Sequence, residues 1–357
     1  MVAGVDDISG DGWNKCGFVL RFVTNSTVLT LLLLHSIAAN YSTELSMIML
    51  TCVEKCKKTG CIQDQCFNSC NVSLSAEAPW YFQEPLYLRW KEWDCRDECR
   101  YHCMVLREAE REKLDDQPVK YHGKWPFRRV FGIQEPVSVA VSMLNLALIF
   151  HGWLSFFILL HYKLPLKTNG KTYYEYTGLW HVYTILSMNS WFWSTVFHSR
   201  YVELTERLYY SSTLAFLGFV LMLAIIRSLN ITTEAARVMV AAPVIAFVTA
   251  HILFLNVVQF DYEWNLGVVA VLATTQLIFW IIYGIRSRQP SRWKLWFTLL
   301  GSALAMLLEI IDFPPYKGFI DSHALWQATS ITITYIWWSF IKDDAEYTTA
   351  IQTKKAK

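Results

Sequence analysis

This sequence predicts a seven-helix membrane bundle preceded by a disulfide-rich domain, and three observations carry that fold class. The 357 residues are 54% hydrophobic and 17% charged, against about 25% charged for an average soluble chain. After Val137 the chain has repeated apolar runs approaching the roughly twenty residues that a membrane-spanning helix needs. All nine cysteines precede residue 104. The first two observations exclude an ordinary cytosolic enzyme. A net charge of +2, with no Lys/Arg tract among aromatic residues, excludes nucleic acid as a partner.

Taken in order, residues 1–39 have the parts of a signal peptide or leader: Arg21, the apolar stretch Val28 to Leu34, then Ser36-Ile37-Ala38-Ala39. Thr24 to Thr27 interrupt the apolar part, so an uncleaved anchor is the alternative. Residues 40–136 are expected to form a small lumenal domain. Setting Cys16 aside, Cys52, Cys56, Cys61, Cys66, Cys70, Cys95, Cys99 and Cys103 make an even, dense set beside the glycosylation sequon Asn71-Val72-Ser73. Such a set points to disulfides in an oxidising compartment, with connectivity open. The competing zinc cluster is disfavoured because the spacings are C-x3-C rather than C-x2-C.

The membrane domain is expected over 137–342. Spans fall at about 138–160, 177–198, 208–226, 238–259, 266–285, 293–311 and 321–341, joined by short connections that make neighbours antiparallel. The loops after the first, third and fifth spans hold Lys163, Lys167, Lys171, Arg227, Arg237, Arg286, Arg288, Arg292 and Lys294; the opposite loops hold Arg200, Arg207 and Lys317. The positive-inside rule puts the first set in the cytosol. The N-terminal domain is then lumenal, Asn71 is glycosylated, and Asn230, in the sequon Asn230-Ile231-Thr232, stays unmodified. Residues 343–357 form a cytosolic tail, whose Lys354-Lys355-Ala356-Lys357 is similar to a dilysine retrieval signal or is a solvated basic end.

Ionisable groups at the ends of spanning helices mark candidate sites. Ser194 and His198 lie one helical turn apart at the end of the second span, Glu203 and Glu206 follow, and His323 opens the seventh. All gather at the lumenal side. His181, His251, Glu309 and Asp312 are further candidates, His251 with a helix-to-helix hydrogen bond as its alternative role. A transporter is disfavoured because its charged groups would line a midplane path.

Several strings then carry a resemblance. Cys52-x3-Cys56, EPLYLRWKEWDCRDECRYHCM from Glu84, YHGKWPFRR from Tyr121, YYEYTGLWHVY from Tyr173, NSWFWSTVFHSR from Asn189, EIIDFPP from Glu309, and HALW from His323 followed by TYIWWSFIKDDAE from Thr334 are similar to the post-GPI-attachment phospholipase family, and follow its plant members. The similarity spans 50–347. That family belongs to the CREST superfamily of seven-helix membrane hydrolases, which also holds receptors; the cysteine domain argues against a receptor.

The resemblance implies zinc held by three histidines, with a Ser and an Asp beside the metal-bound water, and hydrolysis of the sn-2 fatty-acyl ester of GPI phosphatidylinositol. GPI lipid and GPI-anchored proteins would be the partners, in the membranes of the Golgi apparatus or endoplasmic reticulum. Ser194 matches the family Ser, and His198 and His323 match two metal ligands. Three positions depart: Tyr209 stands where the family has Asp, Gln327 where it has the third His, and Tyr201 where an Asp follows the His-x-Arg triplet. An amide is a poor replacement for imidazole on a divalent cation, and a phenol with pKa near 10 is a poor base at neutral pH. The second reading is therefore a catalytically impaired member that binds GPI lipid or a partner protein.

Overall fold

The structure, a computed structural model, describes residues 48–70, 93–121 and 124–356. The expected leader, Cys16 and the Asn71 sequon lie outside the described residues. The chain divides into two compact units, residues 1–126 and 127–357.

In the first unit, helical residues 48–59 lead into a two-stranded antiparallel hairpin, β1 (Cys61–Ile62) and β2 (Gln65–Cys66). Helix α1 (Cys95–Lys113) follows, capped by Asp94, whose carboxylate accepts from the Asp97 N–H at 2.7 Å. Asp97 and Glu98 in its first turn and Arg111 and Lys113 in its last complement the helix dipole. Cysteines four apart share one helical face. Cys52 and Cys56 therefore meet Cys103 and Cys99 in an antiparallel pair of disulfides. Cys61–Cys66 closes the hairpin and Cys70–Cys95 ties it to the start of α1. Every cysteine from Cys52 to Cys103 is thus oxidised, which leaves no thiolate for zinc. Met49, Val53, Phe67, Met104 and Tyr121 fill the space around the bridges. Burial, reinforced by the hydrogen bond that the Tyr121 hydroxyl donates to Glu108, raises the phenol above its ordinary pKa.

In the second unit seven helices follow among the described residues: α2 (Pro136–Ile158), α3 (Thr177–Ser199), α4 (Glu203–Ser228), α5 (Glu234–Leu253), α6 (Tyr262–Arg286), α7 (Arg292–Ile311) and α8 (Ser322–Ala356). Each expected span falls on one of them. Single π-helical turns, Leu159–Lys163 and Phe254–Val258, extend α2 and α5. Five helices (α2, α4, α5, α6 and α7) are long and apolar enough to cross a membrane. The other two are long enough but more polar. Helix α3 carries Thr184, Ser187, Ser190, Ser194, Thr195 and His198, and α8 is rich in Thr and Ser before its charged end.

Helix α4 packs against α3, α5 and α6, and α8 against α2 and α7. Half of the apolar part of α4 is buried, against 17% for α5, which leaves α5 an outer, solvent- or lipid-facing helix. Small residues let backbones approach. A Cβ on Gly218 would sit 2.5 Å from Val248, and one on Gly152 would sit 2.3 Å from the Trp338 ring. Helix α8 runs unbroken through the residues expected to be a tail. The reason is packing: Asp344, Ala345 and Thr349 are buried.

Candidate active site at one end of the helix bundle

His198 occupies the last turn of α3 and is 3% exposed. The chain entering α2 docks on that helix end: the N–H groups of Gln134 and Glu135 donate to the carbonyls of Ser199 and His198, each at 3.0 Å. This docking brings the Glu135 carboxylate to 2.8 Å from His198 Nδ1. Glu135 is buried, which by itself would raise its pKa, but the charge that the facing His198 imidazole carries when protonated, and its hydrogen bond, prevail and hold the carboxylate below its ordinary range.

His323, in the first turn of α8, makes the matching arrangement. Its Nδ1 lies 2.9 Å from Oε2 of Glu309, in the last turn of α7. The two imidazoles are 5.2 Å apart, centroid to centroid. Between them sits Gln327, one turn beyond His323 and fully buried. Its Nε2 is 3.1 Å from His198 Nε2 and 3.2 Å from His323 Nε2.

With both imidazoles neutral, each Nδ1–H donates to a carboxylate, each Nε2 presents a lone pair, and the two N–H bonds of the Gln327 amide serve both. The same nitrogen lies 3.4 Å from Ser194 Oγ, which in turn shares a 3.0 Å hydrogen bond with Ser142 Oγ. The Gln327 carbonyl Oε1 is buried with no partner among the described residues. Its main-chain carbonyl accepts from Asn145 Nδ2 at 3.0 Å.

Tyr209 is near but not in the row. Its ring stacks on Phe197 at 5.1 Å and presents an edge to His198 at 5.9 Å. Tyr201 also packs on Phe197. Glu203 pairs with Arg207 on the surface of α4. His251 meets Asn265 between α5 and α6 at 3.3 Å, and His181 accepts from Trp153 at 2.9 Å. These do not join the row. Glu135, Ser142 and Asn145 are additions to the sequence reading. The mark that could have found Glu135 is a carboxylate placed directly before the proline that opens the first span.

Imidazoles backed by carboxylates, with both Nε2 atoms converging, are the usual outer support of a metal centre. The inner set does not fit one. A three-imidazole zinc site needs a third lone pair where Gln327 instead aims two N–H donors, and the amide satisfies the lone pairs a cation would take. Among the described residues, the grouped metal-type ligands are Cys70, Cys95 and Cys99, all in disulfides.

Residues 85–345 match the Per1-like family. The chain is 30% identical over 291 residues to a Xenopus tropicalis protein named GPI-specific phospholipase A2-like PGAP3, covering 81% of this chain and 87% of that relative. It is 32% identical over 268 residues to the Danio rerio protein of the same name, covering 73% and 80%. With a Drosophila melanogaster protein named Post-GPI attachment to proteins factor 3 it shares 28% over 297 residues, covering 82% and 85%. The family match spans the membrane unit and the end of the cysteine domain: the chain belongs to the Per1-like family.

Proposed function

We propose that this protein serves GPI-anchor lipid remodelling after attachment to protein, at the lumenal face of Golgi or endoplasmic reticulum membranes, and that its site engages the GPI phosphatidylinositol without turning it over. Family membership and the names of the relatives support the process. One observation carries the rest: the Gln327 amide donates to His198 and His323 together, so the place of a metal is taken by a neutral group of the chain itself. GPI lipid enters sideways between helices, and the GPI-anchored protein is its carrier.

A second reading has a specific observation in its favour. The pairs Glu135–His198 and Glu309–His323 and the neighbouring Ser194 are intact, which suits hydrolysis of the sn-2 acyl ester with zinc recruited despite Gln327. Expression of the full chain in cells lacking the family enzyme separates the two. GPI lipid should co-purify with the chain while the anchors keep their original acyl chains by mass spectrometry. Remodelled anchors would favour the second reading.

The same proposal includes seven spans with the cysteine unit in the lumen, supported by the nine-to-three distribution of loop Lys and Arg and by four disulfides. Asn71 is then glycosylated, while the exposed Asn230, just after α4, faces the cytosol. Glycosidase treatment should shift the mobility of Asn230→Gln as much as that of the unmodified chain, and that of Asn71→Gln by less. A glycan lost with Asn230→Gln would reverse the topology.

A further inference from the structure

The end of the bundle away from His198 carries a second polar constellation. Lys342 lies nineteen residues beyond His323 on α8, about 28 Å along the helix at 1.5 Å per residue, close to the roughly 30 Å of a hydrocarbon core. There, between α2 and α8, a pocket of about 40 Å³ is lined by His151 and Gly152 from α2 and by Tyr335, Trp338, Ser339 and Lys342 from α8.

Its donors are uncommitted in a telling way. Lys342 has no ion pair or hydrogen bond among the described residues, although the neighbouring cations are neutralised: Lys294 by Asp343 at 2.6 Å and Arg227 by Asp344 at 2.5 Å. Trp338 is 2% exposed, and its indole N–H is buried without a partner among the described residues. A Cβ on Gly152 would fall 2.4 Å from Trp338 Cδ1, the atom bonded to that nitrogen. The Trp338 ring therefore lines the pocket on the side that Gly152 leaves without a side chain. Ser339 Oγ accepts from Lys294 at 2.9 Å and keeps its own proton to donate. Among the described residues no carboxylate lines the pocket. The Trp338 ring, the Ser339 hydroxyl and an unpaired ammonium border one small space, and an anionic oxygen cluster suits the ammonium and the hydroxyl.

We propose that this pocket holds the phosphate of an anionic phospholipid from the leaflet at this end of the bundle. A lipid rather than a free phosphate is favoured by position: the pocket lies at bilayer-interface depth, beside Leu148 and the 64%-exposed Tyr335, which offer apolar flanks to a glycerol backbone and acyl chain. A choline headgroup would bring a second cation beside Lys342.

Native mass spectrometry of the delipidated full chain tests this, with phosphatidylserine, phosphatidylcholine of the same acyl chains, and inorganic phosphate as separate probes. Phosphatidylserine should be retained about fivefold over phosphatidylcholine, the share of one lysine at a membrane surface. Lys342→Gln should erase that preference, and Lys354→Gln should leave it unchanged. Equal retention of the two lipids, a preference that survives Lys342→Gln, or binding of inorganic phosphate alone would overturn the proposal. Phosphatidylserine lacks inositol, so these outcomes are independent of GPI recognition at His198.

Discussion

Gln327→His is expected to raise the zinc bound to the purified chain from well below one to about one per chain, because it places a second imidazole one turn after His323 on the same face of α8. The substitution removes the two N–H donors that satisfy the facing lone pairs and supplies a third donor atom to a pair of imidazoles already held by Glu135 and Glu309. Metal affinity and turnover should separate. Tyr209 holds a phenol where the family has a carboxylate, so the single variant should gain zinc and little activity. Gln327→His with Tyr209→Asp should gain both. Zinc at one equivalent in the unmodified chain would show that an amide suffices.

Asp344→Ala is expected to be the most damaging single change outside the site, at about 3–5 kcal/mol, since it strands a buried cation. The Asp344 carboxylate is contacted by Arg227 at 2.5 Å, by the Tyr174 hydroxyl at 2.5 Å and by the Tyr283 hydroxyl at 2.9 Å. With its nitrogen turned toward the carboxylate, the Gln289 amide donates to Asp344 Oδ1 at 3.1 Å and accepts from the Asp344 N–H at 3.0 Å. The Arg227 guanidinium also lies 4.2 Å from the Tyr176 ring. Arg227 and Asp344 are 7% and 2% exposed, so neither charge can be rescued by solvent. Removing both charges together, as Arg227→Met with Asp344→Leu, should recover most of the loss. Thermal unfolding in detergent reads both. An Asp344→Ala chain as stable as the unmodified one would mean that the network adds nothing.

The sequence reveals the helices more readily than their partners. Apolar runs locate the seven helices, six of them to within about five residues of both ends, while α8 continues to Ala356, well past its expected end. The polarity of α3 and α8 has a different cause: one end of each builds the His198 row, and α8 also supplies Asp344 to the opposite end. Cysteines four apart imply two helical faces, but which sulfurs join depends on the antiparallel approach of 48–59 and α1. Gln327 and Tyr209 are conspicuous by resemblance, and His323 by its place at a helix start. Glu135 and Glu309 acquire their roles through contacts across 63 and 14 residues of chain; the sequence offers Glu309 as a candidate at a helix end but not its pairing with His323.

Release of sn-2 fatty acid from a diacyl GPI phosphatidylinositol by the purified full chain, in bilayer discs with zinc in the buffer, tests the central claim most directly. The unmodified chain should release no more than Ser194→Ala with His198→Ala, while Gln327→His with Tyr209→Asp should release fatty acid in a zinc-dependent manner. Zinc-dependent release by the unmodified chain, abolished in the Ser194 and His198 variant, would contradict the account and make Gln327 a working member of a hydrolytic site.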